Sequence, residues 1–386
     1  MKSTPTLLLG IACAATATAL AELDKLNSRA LFTIEVAPGE TRQITEEERW
    51  ELSLNGGCGA HFFDISTSHA ASLPLRRLSA YPPSFLHTPA IALLTPQLSG
   101  SNVKAHLEHY STYHTRFSET ATGTQAAAWL LAQIEAVVAG ANKPGVTATP
   151  FPHAGWPQHS IVVRVPGRTD RTVIVGAHLD SINSSDRLNG RAPGVDDNGT
   201  GSFTILEALR VLLTDPAFAP GSLENTVEFH WYAAEEGGLR GSQDVFTQYA
   251  AAGREVWAML NQDMTGYTKG MLDAGLPESF GLITDFTDAP LNDFVARVIT
   301  EYTDIAFVES TCGYACSDHG SAMRSGYPAS FVFEAPFQYR NPYIHTVNDT
   351  IEHIDFKHVV QHAKLVVGFI YELGFSKAAG NSTSPV

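Results

Sequence analysis

Residues 172–181, TVIVGAHLDS, decide the fold of this chain. An apolar, mostly β-branched run from Thr172 to Ala177 breaks off at His178 and Asp180. A short run without polar alternation, bounded by a turn, reads as a strand buried on both faces, as in a parallel sheet. Side chains two positions apart on extended chain share a face, so His178 and Asp180 point the same way at the strand tip. The plan recurs in NTVEFHWYAAEE (225–236), which ends in Glu235 and Glu236, and in EVWAMLNQD (255–263), which ends in Asp263.

Helical spacing of apolar residues fills the intervals. It is found in NVKAHLEHYSTYHTRF (102–117), GTQAAAWLLAQIEAVVAG (123–140), GTGSFTILEALRVLL (199–213) and LRGSQDVFTQYAAAG (239–253). It returns in PLNDFVARVITEY (290–302) and in DFKHVVQHAKLVVGFIYEL (355–373). QHSIVVRVPG (158–167) and SFVFEAP (330–336) add strands. Strands alternating with helices predict an α/β fold, a mainly parallel twisted sheet sandwiched by helices. In such folds ligands bind beyond the carboxyl ends of the strands, where His178 and the carboxylates lie.

The chain has 386 residues, 44% of them hydrophobic, 17% charged, and a formal net charge of −15. This is ample for a core and argues against wholesale disorder. No clustered Lys and Arg are present for phosphate contacts, so nucleic acid is excluded as a partner. Lys2 followed by the short apolar stretch Leu7–Ala21, with small residues at its end, reads as a secretory signal over residues 1–21. A secreted, extracellular protein follows, with no membrane span, because the run is short for a bilayer and no later segment is long enough. Residues 22–85 carry one strand-like alternation, an acidic patch, the basic pair Arg76-Arg77 and Pro82-Pro83. We read them as a pro-region with linker, against the plainer option of a retained β-rich appendage. Residues 86–386 are then the catalytic domain, expected to act as a monomer. Beyond the signal, Cys312 and Cys316 are close enough to pair in an oxidising compartment. A metal-holding CxxxC is the alternative, although no second Cys or His pair accompanies it. Cys58 is left unplaced.

His178, Asp197 of GVDDNGTG, Glu236 of AAEEGGLRGS, Asp263 and His345 of YIHTVNDT form a set of potential metal ligands. Each has an innocent reading alone: Asp197 as a helix cap, a Glu pair on an exposed turn, a structural histidine. Together, two imidazoles and three carboxylates exceed what one four-coordinate zinc needs and suit two divalent ions. Two Zn²⁺ bring four positive charges against three carboxylates, and a hydroxide closes the sum, which is equipment for hydrolysis. Two adjacent carboxylates on one buried tip divide naturally into Glu236 as ligand and Glu235 as general base. Asp180 is placed to orient His178 or its surroundings.

The words AHLDS, PGVDDNGTG, AAEEGGLRGS, NQDMTGY, CGYACSDHGS and NPYIHTVNDT, in this order, resemble the secreted di-zinc aminopeptidases of peptidase family M28, particularly the fungal leucine aminopeptidase type. The resemblance covers about residues 100–372. It implies His178 and Asp263 at one zinc, Glu236 and His345 at the other, and Asp197 between them. It also implies Glu235 as base, Asp180 behind His178, and Tyr314 as an oxyanion donor held by a Cys312–Cys316 bridge. By the same analogy Met264, Phe331, Phe333, Phe337 and Ile344 line an apolar pocket for the first residue, although such side chains are more often core. A signal peptide and pro-region are implied as well, making the chain's own pro-region a partner before processing. The expected substrates are peptides with a free N-terminus, cut after Leu or another large apolar residue.

Related metal-dependent deacylases and carboxypeptidases use similar ligand sets and stand as alternatives. A non-catalytic binding ectodomain would show lost ligands, and none is lost here. Neither G-x-S-x-G nor H-E-x-x-H occurs, which removes two other hydrolase classes. Asn183, Asn348 and Asn381 open N-x-S/T sequons, glycan candidates in a secreted chain. Asn198 opens another and is discounted for its place beside the ligands.

Overall fold

The computed structural model describes residues 31–37, 39–55, 62–66, 72–76 and 80–377. The signal stretch 1–21, Cys58 and Asn381 lie outside them. Near the start, β1 (Leu31–Ala37), β2 (Glu40–Thr45) and β3 (Phe63–Asp64) form a small antiparallel sheet ordered β2-β1-β3. The buried runs make a second sheet from β4 (Thr147–Phe151), β5 (Ser160–Val165), β6 (Thr169–His178), β7 (Asn225–Tyr232), β8 (Val256–Asn261), β9 (Ser279–Ile283), β10 (Ala306–Ser310) and β11 (Ala329–Phe333). Its eight strands run β10-β9-β11-β8-β6-β7-β5-β4.

The centre is parallel, through β6 with β7, β6 with β8, and β11 with β8. Antiparallel pairings appear outward of it, at β9 with β11, β5 with β7 and β4 with β5, before the β10–β9 edge turns parallel again. The centre is parallel because helical crossovers join its strands and cover both faces. On one face Val173, Val175 and Ala177 of β6 join Phe203 and Leu206 of the helix Gly201–Leu212, with Val366 and Phe369 of Phe356–Phe375. On the other, Ile174, Tyr232 and Met259 meet Val245 and Phe246 of the helix Arg240–Ala251. One strand thus feeds two cores by alternation, as the unbroken apolar run of β6 requires.

The expected helix over 102–117 runs only from Gly100 to Tyr110, capped by the Ser99 side chain on Asn102 N–H. Beyond Tyr110 the chain leaves the helix so that Arg116 can enter the interior, where it is fully buried. The linker is also more engaged than its Pro-rich composition predicts. Tyr81 stacks on Trp257 with centroids 5.7 Å apart, and Arg297 donates to the carbonyls of Pro82 and Pro83. Residues 81–83 of the linker therefore pack on the large domain.

Candidate metal centre

The C-terminal ends of β6, β7 and β8 lie side by side because the strands are parallel neighbours. His178 closes β6, Glu235 and Glu236 follow β7, and Asp263 follows β8. Asp197 comes from the turn Val195–Thr200 ahead of the helix Gly201–Leu212, and His345 from a loop beyond β11. Ala234, Met264 and His345 all adopt left-handed backbone, with φ of 55°, 58° and 57°. Non-glycine residues avoid that region, and three beside the site mark where packing forces the chain into a functional shape.

Two groups of ligand atoms result, His178 with Asp197 and Asp263, and Asp197 with Glu236 and His345. His178 Nε2 lies 3.1 Å from Asp197 Oδ1 and 3.3 Å from Asp263 Oδ1. His345 Nε2 lies 3.0 Å from Asp197 Oδ2 and 3.1 Å from Glu236 Oε2. Asp197 thus turns one oxygen to each group. His345 Nε2 makes no hydrogen bond despite these distances, and Glu236 Oε1 and Glu235 Oε1 are buried without partners. Buried polar atoms are normally paired, so donor atoms that converge on shared points instead of on each other fit cations. The donor set of imidazole nitrogens and carboxylate oxygens is one zinc accepts.

Around these atoms lies a ring of braces. Asp180 accepts the backbone N–H groups of Glu235 (3.1 Å) and Glu236 (3.3 Å), and its Oδ1 is 3.4 Å from His178 Nδ1. It therefore fixes the turn after β7 as well as flanking the imidazole. Ser317 donates to Asp263 Oδ2 at 2.6 Å and accepts from Asn261 Nδ2. Asp349, four residues past His345, accepts the N–H groups of Asp196 and Asp197, both at 3.0 Å. Arg116 donates to the carbonyls of Leu179, Pro193 and Gly194, tying the turn after His178 to the one before Asp197. Sequence reasoning missed Ser317, Asp349 and Arg116. The first two sit inside the quoted words CGYACSDHGS and YIHTVNDT, beside residues whose side chains are ligands.

Beside the ligands, Met264, Phe331, Phe333 and Ile344 pack with Tyr314, Cys316 and the unanticipated Ile283, with Phe337 and Cys312 at the border. This cluster is separate from both main cores. Cys312 and Cys316 are joined by a disulfide, and Asp285 accepts the N–H groups of Cys312 and Gly313, holding the Tyr314 loop. Of the sequons, Asn348 is exposed, whereas the Asn183 amide donates to Arg191 O at 2.8 Å and a glycan there would break that bond. Asn198 is fully buried and donates to Gln262 O.

Burial alone would depress His178 and His345. Asp263 and Glu235 around the first, and Glu236 and Asp197 around the second, outweigh it and hold both well above the usual histidine range. Burial, with Asp197 adding and His345 opposing, lifts Glu236 to about 7. Burial likewise pushes Glu235 well above the carboxylate range, with Asp263, Glu236 and Asp318 adding to it. Asp197 is held well below that range because the two imidazoles facing its oxygens outweigh burial.

The sign of the resulting pH dependence is fixed. Without metal the folded chain holds protons on Glu235, Glu236 and both imidazoles that the unfolded chain has lost, so stability falls as pH rises from about 4.5 through about 7 and beyond. Asp197 acts oppositely, but only below its ordinary 3.8. Buried His230, His319 and His362, held below the usual histidine range by burial, oppose this trend only up to that range, so the metal-free protein is expected to melt higher near pH 7 than near pH 9, and zinc added near pH 8 should release protons and raise the melting temperature. Calorimetry and a pH-stat check this. A metal-free melting temperature that climbs between pH 7 and pH 9 would contradict it.

Buried imidazoles and carboxylates at the C-terminal edge of a helix-covered parallel sheet, in two potential ligand triads that share one aspartate, fit the class of metal-dependent hydrolases. The comparisons narrow the class. A family model, Peptidase family M28, matches residues 160–370, and the chain belongs to that family. It is 49% identical to leucine aminopeptidase 1 of Arthroderma otae over 346 residues, 89% of this chain and 92% of that protein. It is 48% identical to leucine aminopeptidase 1 of Colletotrichum graminicola, covering 89% of this chain and 86% of that one. Among solved structures it resembles the Legionella pneumophila LapA aminopeptidase at 26% identity and a TM-score of 0.77, covering 90% of this chain and 99% of that chain.

Proposed function

We propose that this chain is a secreted aminopeptidase that removes an N-terminal leucine or another large apolar residue from peptides. Two zinc ions would be held by His178, Asp263 and Asp197 on one side and by Glu236, His345 and Asp197 on the other. The observation that carries the reading is a shared Asp197 between two triads, with the free carboxylate Glu235 and an enclosed apolar cluster alongside. The relatives named leucine aminopeptidase 1 support the same choice of substrate.

Bound zinc supplies a polarised carbonyl and a water of lowered pKa. The chain's own residues do the rest. Glu235 is buried, carries no competing hydrogen bond on Oε1, and has a high affinity for a proton, so it takes the proton of the attacking water and returns it to the leaving amine. Asp180 keeps that carboxylate aimed by holding the Glu235 and Glu236 backbone. Tyr314, on a loop closed by the disulfide and anchored by Asp285, faces the same cluster and is the donor for the developing oxyanion. Met264, Phe331, Phe333, Phe337 and Ile344 receive the first side chain.

Residues 22–85 act as a pro-region in this reading. The described part of it caps three segments around the site. Glu35 pairs with Arg324, Glu46 with Arg187 at 2.8 Å, and Asp64 lies 4.0 Å from Arg240. Among the described residues no helix is long and apolar enough to cross a membrane. The test uses leucine anilide and N-acetyl-leucine anilide, before and after cleavage next to Arg76-Arg77. Turnover of the free amine alone, several-fold faster after cleavage, is expected. Preference for the acetylated compound would make the chain a deacylase, and release of C-terminal residues from peptides would make it a carboxypeptidase.

A further inference from the structure

The segment Phe62–Ser66 lies on the large domain in the manner of a bound peptide. Asp64 N–H donates to Gly238 O at 3.3 Å, and Gln243 Nε2 donates to Asp64 O at 3.2 Å. The same Gln243 amide also donates to Gly238 O at 2.7 Å, so one side chain bridges the turn and the visiting backbone. The other edge of the segment pairs with β1, at Ile34 with Asp64 and Glu35 with Phe63. Both main-chain groups of this one residue are therefore met by the domain, the N–H by a turn carbonyl and the carbonyl by a helix side chain.

The side chains add to this. A Cβ placed on Gly238 would stand 3.0 Å from the Phe62 ring and 3.1 Å from Asp64 Cβ, and one on Gly320 would stand 3.0 Å from the Phe63 ring. The two glycines let the segment approach backbone directly. A cavity of about 200 Å³ remains between Phe62, Phe63, Tyr314, Ala315, Gly320 and Met323. The floor of this groove starts one tight turn from Glu235, since Gly238 N–H donates to Glu235 O. It ends at Tyr314, a wall of the apolar cluster. The groove thus runs outward from the site, between the base and the pocket.

We infer that the surface under Phe62–Ser66 is the subsite for the part of a peptide substrate that lies beyond the cleaved bond. It takes extended backbone through Gly238 O and the Gln243 amide, and an aromatic side chain against Tyr314, Ala315, Gly320 and Met323. The inference rests on the aminopeptidase reading and adds a preference that a single-residue substrate cannot report. In the full chain this subsite is filled by the chain's own Phe63.

The experiment compares leucinamide, which carries nothing beyond the cleaved bond but its nitrogen, with the peptide Leu-Phe-Gly on the full chain and on its Phe63→Ala variant. Phe63 lies at the contact with the domain and outside the small cluster of Ile34, Ile44 and Phe62 that holds the N-terminal sheet together. Without the ring the segment keeps only the Asp64 main-chain bonds in the groove, so Leu-Phe-Gly should displace it with a KM at least five-fold lower, while leucinamide changes less than two-fold. The acetylated peptide Ac-AHFFDIST, copying residues 60–67, should then inhibit turnover of Leu-Phe-Gly competitively and spare leucinamide. Equal effects on both substrates, or no effect of variant and peptide, would overturn the subsite and leave the aminopeptidase reading standing. Absence of turnover of either substrate would overturn both.

Discussion

Glu235→Gln should bind its full complement of metal and lose about 10³-fold in kcat, the span that positioned proton transfer supplies. Glu235 belongs to neither ligand triad, so its carboxylate is not needed to hold a cation. The substitution keeps shape and volume, and the Glu235 backbone N–H still meets Asp180. What disappears is a group that can take a proton and give it back. Elemental analysis and steady-state rates on leucine anilide separate these functions. Retained metal with a wild-type rate would remove Glu235 from the reaction. Lost metal would make it a ligand.

The same variant should be more stable than the wild type without metal near pH 8. Glu235 sits among Glu236, Asp263 and Asp318, and burial sets it well above the ordinary carboxylate range. A group displaced in that direction costs the fold more as pH rises, because it must ionise among like charges or keep a proton the unfolded chain would release. Gln has no charge to lose. Activity and stability therefore oppose each other at this position, as expected where a site stores electrostatic strain.

Much of this was readable from the residues because the site follows the sheet. Buried strands without polar alternation have abrupt ends, and His178, Glu235, Glu236 and Asp263 stand at those ends. β4, β9 and β10 were not legible. Thr147–Phe151 and Ala306–Ser310 are short edge strands with exposed positions, and edges lack the apolar run that marks a central strand. Ser279–Ile283 is buried and follows the turn residues Gly275 and Pro277, but it is only five residues, too short a run to stand out as a strand. The pocket side chains were named by family resemblance, and apolar periodicity alone would have left them in the core. Arg116 and Asp349 escaped for another reason: they act on backbone atoms, which carry no sequence signal. Arg116 reaches carbonyls more than sixty positions away, and only the folded chain reveals which turns it joins.

Asp197→Ala should abolish both ion sites at once, and this separates a shared ligand from two independent ones. Each triad falls from three protein donors to two, because the Asp197 oxygens face different imidazoles at 3.1 Å and 3.0 Å. His178 with Asp263, and Glu236 with His345, would remain as pairs, fewer than the three protein ligands that catalytic zinc sites normally keep. The expected result is less than one zinc retained per chain after gel filtration and activity lowered by at least about 10³-fold, since the metal-dependent stabilisation is lost together with the positioned water. The fold should persist, because Asp349 binds the backbone N–H of residue 197 and alanine still supplies it. Asp180→Ala is the contrast. It removes a brace and no triad member, so a loss of about 10–100-fold in metal affinity or activity is expected, with both sites still able to fill. If Asp197→Ala instead kept one tightly held zinc per chain, the aspartate would belong to a single site. The two triads would then have to be read as one metal centre beside a cluster of buried acids.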